Sequence, residues 1–145
     1  MKALIQRVSY ASVSVDNEVI GKIESGILLF LGVEKEDTEA IADKLLKKVL
    51  GYRVFPDQND RMNLDLVQAS GGLLVVSQFT LVADTDKGLR PGFSQAAPAD
   101  QGEYLYNYFV EKAKADHPMV ATGKYGADMQ VELLNDGPAT FLLEI

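Results

Sequence analysis

The sequence predicts an α+β domain: a mainly antiparallel or mixed sheet, or a barrel-like core, with two principal helices packed on it. Three observations carry this. Short strand-like runs bounded by Gly, Pro, Asn and Asp occupy most of the chain. Two stretches, near 41–49 and 105–113, repeat their apolar residues at helical spacing, and they lie far apart. Strands and helices do not alternate regularly, as they would in a doubly wound parallel sheet.

The elements follow in order. Residues 2–9 alternate loosely and read as a strand. VSV at 13–15 and VIGKI at 19–23 flank Asp16, Asn17 and Glu18, which read as a hairpin turn. GILLFLGV, 26–33, is a continuous apolar run, as a strand buried on both faces requires. Asp37 or Thr38 can cap the helix that follows, Glu39 suits its positive end, and Gly51 can close it. YRVF, 52–55, reads as a strand and PDQNDR as a polar turn. LLVVSQFTLV, 73–82, reads as one long strand, followed by a loop over 83–98 that carries DKGLRPGF. Asp100 to about Ala115 form the second helix, with Leu105, Phe109, Val110 and Ala113 inward. Final strands near 128–134 and 139–145 surround NDGPAT, and the last offers an edge on which a second copy can dock.

Size and composition narrow the function. The 145 residues suit a single domain spanning 1–145. No apolar run is long enough to span a membrane, and the N-terminal MKALIQRV turns polar too soon for a signal peptide. The absence of cysteine excludes disulfides, thiolate metal sites and thiol nucleophiles, and fits the cytoplasm. With 14 Lys and Arg against 21 Asp and Glu, the net charge is −7. Such a chain repels phosphate backbones at long range, so any nucleic acid must be gripped locally.

Few residues suggest conventional catalysis. His117, the single histidine, precedes a proline at a helix end, where it favours the helix dipole more readily than it serves as a base. A Ser-His-Asp triad is therefore disfavoured. PDQND, 56–60, resembles a calcium loop but lacks its glycine and terminal glutamate, and no metal or cofactor is expected. GGLLVV has no phosphate-loop lysine. What remains is SQFTL, Ser77 to Leu81, where polar Gln78 and Thr80 interrupt an apolar run. They either face solvent from a sheet or line a pocket.

SQFTL and the later NDGPAT together resemble the motif pair of the D-aminoacyl-tRNA deacylases. The resemblance extends over QRV at 6–8, GKIESGILLFLGV at 21–33, KGLRPGFSQAA at 87–97 and TGKYGADMQVELLNDGPAT at 122–140. Departures are modest: Ala139 stands where Val is commoner in the family, Gly92 where Ser is, and Tyr125 where Phe is.

The resemblance implies a cofactor-independent hydrolase of the ester between a D-amino acid, or mischarged glycine, and the terminal ribose of tRNA. It implies a homodimer in which Gly137 and Pro138 of one chain reach the SQFTL pocket of the other. Their peptide is cis in the family, and their paired carbonyls hold the α-ammonium and obstruct an L side chain. From the residues alone an ordinary trans turn is the commoner state. Arg7 resembles the family arginine that holds this loop; otherwise it is a surface ion pair of little energetic consequence. The backbone N–H groups of Phe79 and Thr80 become oxyanion donors, with Ser77, Gln78 and the Thr80 hydroxyl around the ester. Tyr125 and Met129 become contacts to the terminal adenine, with simple core filling as the competing reading. Lys87 and Arg90 are either phosphate contacts or solvated loop charges. A threonine-nucleophile hydrolase and a non-catalytic binding module for small ligands or RNA ends remain rivals.

Overall fold

A computed structural model describes all residues from 1 to 145. The strands are β1 (Lys2–Val15), β2 (Glu18–Ile23), β3 (Gly26–Gly32), β4 (Phe55–Pro56), β5 (Met62–Leu64), β6 (Gly72–Ser77), β7 (Val120–Thr122) and β8 (Gln130–Glu144). The helices are α1 (Glu39–Leu50) and α2 (Ala99–Asp116), and a single 3₁₀ turn spans Phe79–Val82.

Antiparallel pairs join β1 to β2, β3 and β8, while β6 runs parallel to both β3 and β7. The sheet curls until Gly21 of β2 lies against the Thr122 backbone of β7, which makes a nearly closed barrel. The α+β expectation of two helices on a mixed, barrel-like sheet therefore holds.

The continuous apolar runs are explained by burial on two faces. Ile27, Leu29 and Leu31 of β3, with Leu73 and Val75 of β6, join the larger core beneath α1 and α2. Their alternates Leu28, Leu74 and Val76 point into the barrel and meet Val8, Ala11 and Val13 of β1. The expected inner face of α2, Leu105, Phe109, Val110 and Ala113, is buried. Thr38 caps α1 by accepting the Ile41 amide at 3.3 Å. Asp37 does not cap; its carboxylate is occupied by the Met1 amine and the Glu34 amide.

Several boundaries differ from the sequence expectation. Residues 2–15 form one strand, because β8 pairs with it along nearly its whole length. Asp16 and Asn17 alone make the turn to β2, with φ of 50° and 63°, as a two-residue hairpin loop demands. Tyr52 to Val54 are not strand: Tyr52 and Val54 spend their amides on local bonds to Val49 and Tyr52. The short β5 and β7 were not anticipated.

Two differences bear on function. The strand expected over 73–82 stops at Ser77. Its neighbour β3 ends at Gly32, and the chain turns over that glycine, where a Cβ would meet Val82 at 2.9 Å and Leu81 at 3.2 Å. The two final strands expected around NDGPAT are one strand with a large bulge. Thr140 pairs with Gln6 and Asn135 with Val8, so residues 136–139 oppose Arg7 alone. The Gly137–Pro138 peptide within this bulge is cis. The far edge of β8 pairs with no strand of this chain.

Candidate active site

The end of β6 opens onto a cleft of about 540 Å³. Three pieces of chain converge there. The first is Val76 to Phe79, where strand becomes 3₁₀ turn. The second is the approach to α2, pinned to the residues after β3 by Lys35 N to Gln95 O and Ala97 N to Val33 O, both 3.0 Å. The third is the segment 125–131, anchored by Gly123 N to Val75 O at 3.0 Å and turned at Gly126, whose φ of 75° suits glycine.

Ser77, Gln78, Phe79, Tyr125 and Met129 all line this cleft. The alternation expected of a strand does not reach Thr80, because the 3₁₀ turn carries it to the exposed surface. Thr80 stays coupled to the cleft through Gln78, whose side-chain amide donates to the Thr80 hydroxyl oxygen. The amides of Phe79 and Thr80 open the 3₁₀ turn, where the first N–H groups have no partner within the helix.

Arg7, Gly137 and Pro138 are not among the cleft residues of the same chain. They form a second assembly on the β1–β8 bulge. Arg7 Nε donates to Asp136 O at 2.9 Å and lies 3.2 Å from the Asp136 carboxylate; Nη1 donates to Val54 O at 2.6 Å. Asn135 Nδ2 donates to the Arg7 and Ala139 carbonyls at 2.9 and 3.2 Å. Gly137 and Pro138 are left exposed at the tip.

The sequence reading missed several neighbours. Phe93 stacks on the exposed Phe79 at 5.2 Å between centroids and 47° between planes. Asp128 lines the cleft, and Asn135 braces the bulge from inside the quoted NDGPAT. Only Asn135 had a local signal, its place in that motif. Lys87 and Arg90 sit in an exposed loop closed by paired bonds of 2.7 and 2.9 Å between Asp84 and Gly92, and neither has an ion-pair partner. His117 lies outside the cleft, buried at the C-terminus of α2, with Nε2 2.7 Å from Gly71 O.

Two phenols pack together at the cleft wall, Tyr125 lining it and Tyr106 behind. Burial pushes Tyr106 up to about 12, and its hydroxyl donates to Val75 O at 2.9 Å. Tyr125 is raised by partial burial and then by the Glu103 carboxylate. From pH 10.0, the ordinary value, up to about 12, the unfolded chain has lost the Tyr106 proton and the folded chain keeps it. Stability is therefore expected to fall across that window, by about 1.4 kcal/mol per pH unit. Tyr106→Phe should flatten that part of the alkaline melting curve; an unchanged slope would assign the loss elsewhere.

A family model described as D-Tyr-tRNA(Tyr) deacylase matches residues 4–144. A D-aminoacyl-tRNA deacylase of Pseudoalteromonas atlantica is 62% identical over 145 residues, covering 100% of both chains. One from Cellvibrio japonicus is 60% identical, covering 100% of this chain and 99% of its own. Among solved structures, one described as a c-Myc DNA unwinding element binding protein superposes with a TM-score of 0.95 at 39% identity, covering 100% of this chain and 99% of that one. A probable eukaryotic D-amino acid tRNA deacylase superposes at 0.84 with 17% identity, covering 99% and 98%, and so bears on the fold alone.

Proposed function

The chain belongs to the D-Tyr-tRNA(Tyr) deacylase family, and we propose that it hydrolyses the ester joining a D-amino acid, or mischarged glycine, to the 3′-terminal ribose of tRNA. It is a hydrolase of ester bonds. The observation that carries the reading is the meeting of Ser77, Gln78, Phe79, Tyr125 and Met129 in one cleft, in a chain matched to the family over residues 4–144.

An aminoacyl ester beside a free ribose hydroxyl is already activated, so positioning and an oxyanion donor count for more than a strong base. Water attacks the ester carbonyl, the acyl C–O bond breaks, and the water proton passes by way of the substrate's neighbouring ribose hydroxyl to the departing ribose oxygen, so that free amino acid and free tRNA leave. The Phe79 and Thr80 amides receive the developing oxyanion, and the terminal adenine lies against Tyr125 and Met129. Thr80 accepts from Gln78 through its oxygen, which leaves its own proton free to donate to the ester or the attacking water. No general base adjoins it, which disfavours Thr80 as a nucleophile.

Chirality is read by a second copy of the chain. Its Gly137 and Pro138 carbonyls hold the α-ammonium and fill the space an L side chain would need. Support comes from the separation of these residues from the cleft of their own chain and from the open edge of β8. The net charge of −7 suits a protein that admits the tip of the tRNA in the cytoplasm, and opposes binding along an extended phosphate backbone.

Thr80→Ala should lower kcat on D-tyrosyl-tRNA by roughly threefold to tenfold, the consequence of losing one hydrogen bond to a neutral group. Intact-mass analysis during turnover should find no acyl adduct; an adduct on Thr80 would establish the nucleophile mechanism instead. Light scattering should return two chains of 15.8 kDa, and a monomer that still discriminates D from L would remove the shared site.

A further inference from the structure

Gly102 is the fourth residue of α2, buried, and helical in conformation. A glycine inside a helix is about 1 kcal/mol less favourable than alanine, so its presence asks for a local cause. Its backbone needs none, since φ is not positive and its amide donates to Pro98 O at 2.8 Å.

The cause is Tyr125. A Cβ on residue 102 would run into the Tyr125 hydroxyl oxygen, while the ring carbons Cζ and Cε2 would lie at 3.4 and 3.9 Å. The obstruction is therefore the hydroxyl rather than the ring. Tyr125 is hemmed in on this side. Its ring packs at 5.7 Å and 44° on Tyr106, which is itself tied to Val75 O at 2.9 Å. The cavity that Gly102, Tyr106 and Tyr125 share with Leu31 and Ser77 to Phe79 holds only about 20 Å³, room for about one water molecule and not for a displaced ring. The other side of Tyr125 is the 540 Å³ cleft.

We infer that Gly102 is a positioning residue: the bare α2 backbone is a seat for the Tyr125 hydroxyl, and this seat sets how far the ring projects into the substrate cleft. A side chain at 102 drives the ring toward the substrate and narrows the place of the terminal adenosine. The effect on substrate rests on the proposed contact between Tyr125 and that adenosine; the seat itself does not.

Four proteins test it: the wild type, G102A, Y125F and G102A/Y125F. With Tyr125 present, G102A is expected to raise KM for D-tyrosyl-tRNA by about tenfold or more and to change kcat by less than about threefold. In the Y125F background the same substitution should move KM by less than about twofold. Melting temperatures should show the same coupling: G102A lowers Tm beside Tyr125 and raises it in the Y125F background, where only the helix preference for alanine remains. Equal effects in both backgrounds, on KM and on Tm, would overturn the inference, as would a G102A protein that behaves as the wild type. If the wild type does not cleave D-tyrosyl-tRNA, the proposed function fails, and the Tm cycle still decides whether the hydroxyl is seated on Gly102. If G102A alone does not fold, a folded G102A/Y125F protein supports the seat and an unfolded one contradicts it.

Discussion

Replacing Arg7 with alanine is expected to cost about 2–4 kcal/mol of stability and to lower kcat/KM on D-aminoacyl-tRNA by about tenfold or more. The Arg7 side chain is only 11% exposed, and its guanidinium ties three groups together: Val54 O, Asp136 O and the Asp136 carboxylate. It is the one β1 residue facing the four bulged residues 136–139. Alanine leaves two carbonyls without their charged donor and a half-exposed carboxylate without its partner. Arg7→Lys should recover little, because one ammonium cannot serve carbonyls on two segments in the fork geometry of a guanidinium. Denaturant melts give the first quantity and single-turnover kinetics the second. The D over L ratio should fall with kcat/KM, since the bulge carries Gly137 and Pro138. Wild-type stability and kinetics in Arg7→Ala would reduce this residue to a surface ion pair.

Gly26→Ala is expected to remove at least about 3 kcal/mol, the upper range for overpacking a filled interior, and to yield little soluble protein. Gly26 begins β3 directly opposite Gly72 at the start of β6. An added Cβ would strike the Gly72 carbonyl oxygen and come within 2.6 Å of its nitrogen and 2.8 Å of its carbonyl carbon. These are backbone atoms in a buried parallel ladder, so no rotamer change can relieve them. The strands would have to separate or slip. Either movement displaces Ser77, which the ladder pairs with Leu31, and with it the cleft. Circular dichroism melts check the expectation; a Gly26→Ala protein with unaltered Tm would show that the ladder spreads at no cost.

The features legible from sequence are those set by near neighbours. Thr38, the spacing of Ala42, Leu45, Leu46 and Val49, and Gly51 announced α1 because capping and periodicity act within a few residues. The run around Leu28 announced a buried strand and the run around Leu74 a second strand. Misread features depend on distant partners. FTLV carries nothing to say that β3 stops at Gly32 and leaves β6 nothing to pair with beyond Ser77. NDGPAT looks like a break between strands, and only the length of β1 makes it a bulge within one. Part of the site showed the same divide. Ser77, Gln78 and Phe79 are adjacent and were found as a unit, whereas Gly102 beside Tyr125 and Phe93 beside Phe79 meet only in the fold. The family resemblance supplied Arg7, Tyr125, Met129, Gly137 and Pro138 as candidates, and no periodicity or spacing would have singled them out.

The bulge at Gly137 and Pro138 stands apart from the cleft of its own chain, and its proposed task is to measure handedness. The most direct test is the rate at which purified protein releases tyrosine from D-tyrosyl-tRNA and from L-tyrosyl-tRNA under single-turnover conditions. The expected result is rapid release of the D ester with the L ester spared by about a hundredfold or more, a difference of about 2.7 kcal/mol. Comparable release of both enantiomers would contradict the account.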